Sequence, residues 1–177
     1  LKGKPHFCSV FKAGIAFIFL VCAVVYSAGQ EPSVPVKAPL FTAVTAYGDT
    51  LSLANQRGNI VLLDFWTSWN QPSRKHNLTT VKIYEKYRAV SLRKKKKFVV
   101  IQVSLDTRED LWRAVLIKDN LYWKTHICDL KGWNSPFVSL YDLKRIPTNF
   151  LIDTAGNVVG KDLWENRLDS ALGVWMK

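Results

Sequence analysis

Few side chains in this 177-residue chain are equipped for covalent chemistry. Ser73 and His76 are spaced i, i+3, which brings them to one face of a helix, and with Asp64 they suggest a Ser-His-Asp set. A working set also needs an oxyanion hole and an oriented base, and the sequence encodes neither. His76 is therefore expected on the surface of a basic helix. Thiol chemistry can draw on Cys8, Cys22 and Cys128. No His/Cys/Glu spacing describes a metal site, and no cofactor is expected.

The elements that would position these residues are legible. Ile60-Val61-Leu62-Leu63 and Phe98-Val99-Val100-Ile101 are continuous apolar runs, which marks strands covered on both faces. Strands are predicted over 40–44, 60–65, 98–104, 124–128, 149–152 and 158–161. A helix over 73–90 would carry Leu78, Val81, Tyr84, Tyr87 and Ala89 on its apolar stripe. A second over 108–120 would bury Leu111, Trp112, Val115 and Leu116 behind an Asp106 or Thr107 N-cap. Helices over 135–141, opened by Pro136, and 164–176 follow. Asp153-Thr154-Ala155-Gly156-Asn157 reads as a turn between two strands. The order implies a mixed α/β sandwich with helices on both faces.

Residues 1–28 read as a targeting segment. Lys2, Lys4 and Lys12 precede the apolar run 13–25, and Ser27, Ala28 and Gly29 form a cleavage zone. The alternative is an uncleaved membrane anchor. Residues 29–39 are a proline-spaced linker, and 40–177 form the domain. Cleavage near Ala28 would leave Cys128 alone, without an intramolecular disulfide. Its apolar surroundings predict a small buried cysteine.

The net charge of +11 is concentrated: residues 74–97 hold ten basic side chains against Glu85. In an exported protein, Arg93-Lys94-Lys95-Lys96-Lys97 points to a solvated surface with attraction to anionic lipid or acidic partners rather than to nucleic acid.

The motifs together carry a resemblance. Gly48-Asp49, Leu51-Ser52-Leu53 and Arg57-Gly58-Asn59 resemble a leading hairpin. Asp64-Phe65-Trp66 resembles a strand end before an active-site helix, and Val103-Ser104-Leu105-Asp106 a further core strand. Trp112, Trp123 and Asp129-Leu130-Lys131-Gly132-Trp133-Asn134 fit an inserted segment. Ile146-Pro147-Thr148-Asn149-Phe150-Leu151-Ile152-Asp153 with Gly156 matches a cis-proline loop and its strand. Over residues 40–177 the chain resembles thioredoxin-like thiol-disulfide oxidoreductases of the TlpA/ResA type, a redoxin group related to AhpC/TSA proteins. The resemblance implies an α/β, three-layer thioredoxin-like sandwich with a TlpA/ResA-type insertion, and a cis peptide before Pro147.

It also implies two cysteines where Asn70 and Ser73 stand. Asn forms no thiolate and Ser is too weakly acidic to replace one, so dithiol exchange at Asn70-Gln71-Pro72-Ser73 is excluded. Asn70 suits a helix N-cap. Asp64 matches the family's buried proton acceptor; here it is expected to be a buried acid with raised pKa, tied to Ser73 or a water. The reading that follows is an exported, periplasmic or membrane-tethered binding module, redox-inactive at the degenerate site. Trp66, Trp69, Gln71, Pro72, Ile146 and Pro147 would receive an extended peptide or an envelope protein partner. The alternative is thiol-dependent oxidoreductase or peroxidase activity through Cys128.

Overall fold

The computed structural model describes residues 36–91 and 96–176. The targeting segment with Cys8 and Cys22, linker residues 29–35, and Arg93, Lys94 and Lys95 lie outside the described residues. Among the described residues there are eight strands: β1 Val36–Lys37, β2 Thr42–Val44, β3 Thr50–Ser52, β4 Ile60–Trp66, β5 Phe98–Ser104, β6 His126–Cys128, β7 Thr148–Ile152 and β8 Asn157–Lys161. The helices are α1 Gln71–Ser91, α2 Glu109–Lys118, α3 Pro136–Leu140 and α4 Glu165–Trp175. No helix among the described residues is long and apolar enough to cross a membrane.

A mixed six-stranded sheet runs β1-β8-β7-β4-β5-β6, and β2 and β3 form a separate hairpin. β4, β5 and β6 are parallel; β7 runs antiparallel to β4 and β8 to β7. The turn at 153–157 joins β7 to β8 as its sequence predicts, with Asp153 Oδ1 accepting from the Asn157 N–H at 2.8 Å. The hairpin closes the open flank of β6, because the Ala46 N–H donates to His126 O at 2.7 Å. β1 lies inside the span read as linker, and Ala38 just after it is buried, so packing begins upstream of Leu40.

Side chains alternate across a strand, so β4 feeds two cores at once. Val61, Leu63 and Phe65 face Phe137 of α3, Tyr141 just after it, and Leu51 of the hairpin. Ile60, Leu62 and Trp66 face Ile83 and Tyr87 of α1, Trp112 and Leu116 of α2, and Leu168 and Leu172 of α4. Helices thus cover both faces. Each fully buried Leu, Ile or Phe contributes roughly 1.5–3 kcal/mol relative to exposure.

Two helix faces differ from the periodicity reading. Leu78 and Ala89 of α1 point outward; the inner face is Ser73, Asn77, Thr80, Ile83 and Tyr87. The first half of that face is polar because it meets polar residues of the sheet. In α2, Leu111 is exposed and Arg108 precedes the helix without a side-chain capping bond. Asp106 is unavailable as a cap because its carboxylate turns inward.

Candidate functional site

Strand register gathers the candidate residues at one end of the sheet. Trp66 pairs with Ser104, Ser104 with Cys128, and Phe65 with Thr148, so loops 67–70, 105–108, 129–135 and 142–147 share this upper end. Asp106 anchors the first of them. It accepts from the Ser68 N–H at 2.8 Å, the Ser68 hydroxyl at 2.7 Å and the Ser104 hydroxyl at 2.5 Å. A second strut is the Leu105 N–H bond to Trp66 O at 2.9 Å.

That loop delivers the chain to α1. Asn70 Oδ1 accepts from the Ser73 N–H at 2.8 Å, which is the expected N-cap and occupies the amide side chain. Ser73 is 1% exposed, and among the described residues its hydroxyl meets no hydrogen-bond partner. Arg74 grips Asp119 through two bonds, 3.0 and 2.5 Å, tying the start of α1 to the residue after α2.

Trp69 is 63% exposed, and Gln71 and Pro72 are exposed beside it. The Ile146–Pro147 peptide is cis, and both residues are half-buried. Thr148 follows directly in register with Phe65, which sets this loop against the end of β4. Trp66 does not join this surface: it is fully buried. Its even-numbered position in β4 turns it under the helices, whereas Trp69 lies beyond the strand where alternation no longer applies.

Asp64 is buried, and its carboxyl is pushed up to about 6 by desolvation, which the Gln102 hydrogen bond only partly offsets. Its partner is Gln102, not Ser73. Gln102 Nε2 donates to Asp64 Oδ2 at 2.9 Å and to Asn77 Oδ1 at 2.8 Å, bracketing β4 to α1. Asn149, Asp64, Gln102 and His126 are register partners in succession, so one buried polar row crosses β7, β4, β5 and β6. His126 Nε2 lies 3.0 Å from Leu121 O, and burial pushes the imidazole down to about 4.

Sequence reasoning does not single out Gln102, Asn77, His126 or Asn149 as a polar group. The available signal is Gln102 itself, a lone amide inside the apolar run 98–103. Ser68 and Ser104, the partners of Asp106, give no comparable signal.

No Ser-His-Asp set forms. His76 is half-buried rather than solvated, stacked on Trp164 with ring centres 4.0 Å apart. Burial lowers its pKa, against the opposing pull of Glu165.

Cys128 lies two strand spacings from β4, about 10 Å, and away from the N-terminus of α1. It is half-buried rather than buried, and it lines an open cavity of ≈ 210 Å³ with Trp112 and Arg113. Desolvation raises its pKa, with bonds to Leu130 and Ser104 acting the other way. At neutral pH it is a thiol, not a thiolate.

Comparison with known proteins agrees with this architecture. The Thioredoxin-like family profile matches residues 58–158. The thiol-disulfide oxidoreductase ResA of Bacillus cereus is 26% identical over 148 residues, spanning 84% of this chain and 80% of the relative. The thioredoxin-like protein YneN of Bacillus subtilis is 28% identical, spanning 68% and 65%. Among solved structures, the thioredoxin domain of a thiol-disulfide oxidoreductase from Bacteroides vulgatus superposes with a TM-score of 0.71 at 25% identity, covering 82% of this chain and 99% of that one. A thiol-disulfide oxidoreductase from Bacteroides fragilis gives 0.68 at 29% identity, covering 78% and 98%. The chain belongs to the thioredoxin-like family, as a protein of its TlpA/ResA type.

Proposed function

We propose that this protein recognises an extended peptide segment of a cell-envelope protein and does not exchange thiols at Asn70–Ser73. One observation carries the reading: Asn70 uses its side chain to cap α1 and Ser73 is 1% exposed, while Trp69 beside them is 63% exposed. Neither polar residue can act as a thiolate, but the aromatic contact surface remains. Trp69, Gln71 and Pro72, with Ile146 and Pro147 across the end of the sheet, suit an extended backbone with apolar side chains. The basic, apolar leader of residues 1–28 supports export, to the periplasm or tethered in the envelope.

A second reading uses Cys128, whose partial exposure beside a cavity gives it access to small oxidants. Its raised pKa and its distance from the α1 N-terminus weigh against it.

The test is insulin-disulfide reduction. The wild-type chain should give no turnover, and the double variant Asn70→Cys, Ser73→Cys should regain exchange, since position 70 is half-exposed and 73 buried. Wild-type turnover abolished by Cys128→Ala would overturn the proposal in favour of the second reading.

A further inference from the structure

The opposite, lower end of the sheet carries a different surface. Along the β6 flank, from the row of Gln102 down to the lower edge, the chain brings together the end of α1, the end of α2 with loop 119–125, and the hairpin tip held at His126. Three side chains stand out there: Ile117 is 80% exposed, Tyr47 55% and Tyr122 40%. With Leu116, Asn120 and Leu121 they rim an open hollow of ≈ 230 Å³.

Cations surround this apolar tip. The Arg88 guanidinium lies 5.9 Å from the centre of the Tyr122 ring. Lys118 follows Ile117 directly, Lys124 lies two residues after Tyr122, and both are exposed. None of the three forms an ion pair among the described residues. Of the nearby acids, Glu85 accepts from the Tyr122 hydroxyl at 2.6 Å and Asp119 is bound by Arg74, while the exposed Asp49 lines a hollow with Lys124. The basic run ends at this edge too, where Lys97 O accepts from the Ile60 N–H at 2.9 Å. Lys96 is committed differently, its ammonium capping Trp175 O at 2.6 Å.

The first described residues also lie toward this end. Val36 and Lys37 pair with Val158 and Asn157 at the start of β8, which begins where β7 reaches the lower edge. Tyrosine rings favour the headgroup level of a bilayer, isoleucine the acyl boundary, and unpaired cations the lipid phosphates.

We propose that the lower end docks on an anionic phospholipid surface, with Ile117, Tyr47 and Tyr122 entering the headgroup layer and Arg88, Lys118 and Lys124 contacting the phosphates. The Trp69 end then faces away from the membrane, free for a partner. The docking stands whatever that end binds.

Hydroxyl-radical footprinting of the full chain tests this on phosphatidylcholine vesicles with and without about three parts in ten phosphatidylglycerol. Modification of Tyr47 and Tyr122 should fall about fivefold on the anionic vesicles only, with Trp69 unchanged, and recover as salt is raised. The triple variant Ile117→Asn, Lys118→Glu, Lys124→Glu alters only exposed side chains and should abolish that protection. Protection of Trp69 instead would overturn the proposal, as would equal protection on both vesicle types or no association. Binding with Tyr47 and Tyr122 still reactive, the signature of the leader acting alone, would also overturn it. So would protection by polyglutamate without protection by vesicles, which would assign the patch to an acidic protein.

Discussion

Asp64 and His126 flank Gln102 in a single row of the sheet, both fully inside the fold and both without a charged group acting on them. Burial penalises the charged form of each, so it raises the acid and lowers the base. Two opposite titrations therefore lie in one row.

Their effects on stability should cancel in mild acid. Asp64 moves from 3.8 to about 6 on folding, so its contribution is complete below 3.8 and is lost as pH rises through 6. His126 moves from 6.5 to about 4, so its contribution is complete above 6.5 and is lost as pH falls through 4. Each is worth up to about 3 kcal/mol. Urea unfolding should show near-constant stability between these limits in the wild type. Asp64→Asn should make stability climb with pH across the window, and His126→Gln should make it fall. Parallel curves for all three proteins would refute the two opposing titrations.

The two tryptophans of the junction should separate cleanly. Trp66→Ala removes a fully buried indole and should lower unfolding free energy by about 3–5 kcal/mol. Trp69→Ala should leave stability within about 0.5 kcal/mol. Its effect should appear as roughly tenfold weaker binding of an extended apolar peptide, read by fluorescence titration.

Asn70→Ala should destabilise the domain by about 1 kcal/mol through loss of the cap on Ser73 N–H. Asn70→Asp should recover that loss, because the carboxylate accepts the same bond and complements the helix dipole. Thermal unfolding of the pair checks this; an equal loss in both variants would show that the cap contributes nothing.

Asp106→Ala should be harsher, about 3 kcal/mol or more, because it strands the Ser68 N–H and two hydroxyls in the interior. Hydrogen exchange should locate the change, with faster exchange at Ser68 and unchanged protection in β7.

Cys128 should alkylate slowly. With its pKa raised by burial, its reaction with iodoacetamide at neutral pH should run several-fold slower than that of a free cysteine peptide and rise steeply with pH. A fast, pH-independent reaction would point to an activated thiolate and revive the Cys128 reading.

Reading the chain linearly is enough for the architecture, because periodicity, turn residues and capping act over a few neighbours. The apolar runs 60–63 and 98–101 announce central strands, Asn70 announces a cap, and Ile146-Pro147 announces the loop that proves cis. Long-range register is needed for the rest. Where a strand ends and which way its last side chain turns are set by pairing, so two tryptophans three residues apart, one in β4 and one beyond it, meet opposite environments. The row Asn149–Asp64–Gln102–His126 comes from four strands far apart in the chain, and the grouping of Tyr47, Arg88 and the stretch 116–122 from three separate segments. Burial and proximity are properties of the packed whole, and no local pattern encodes them.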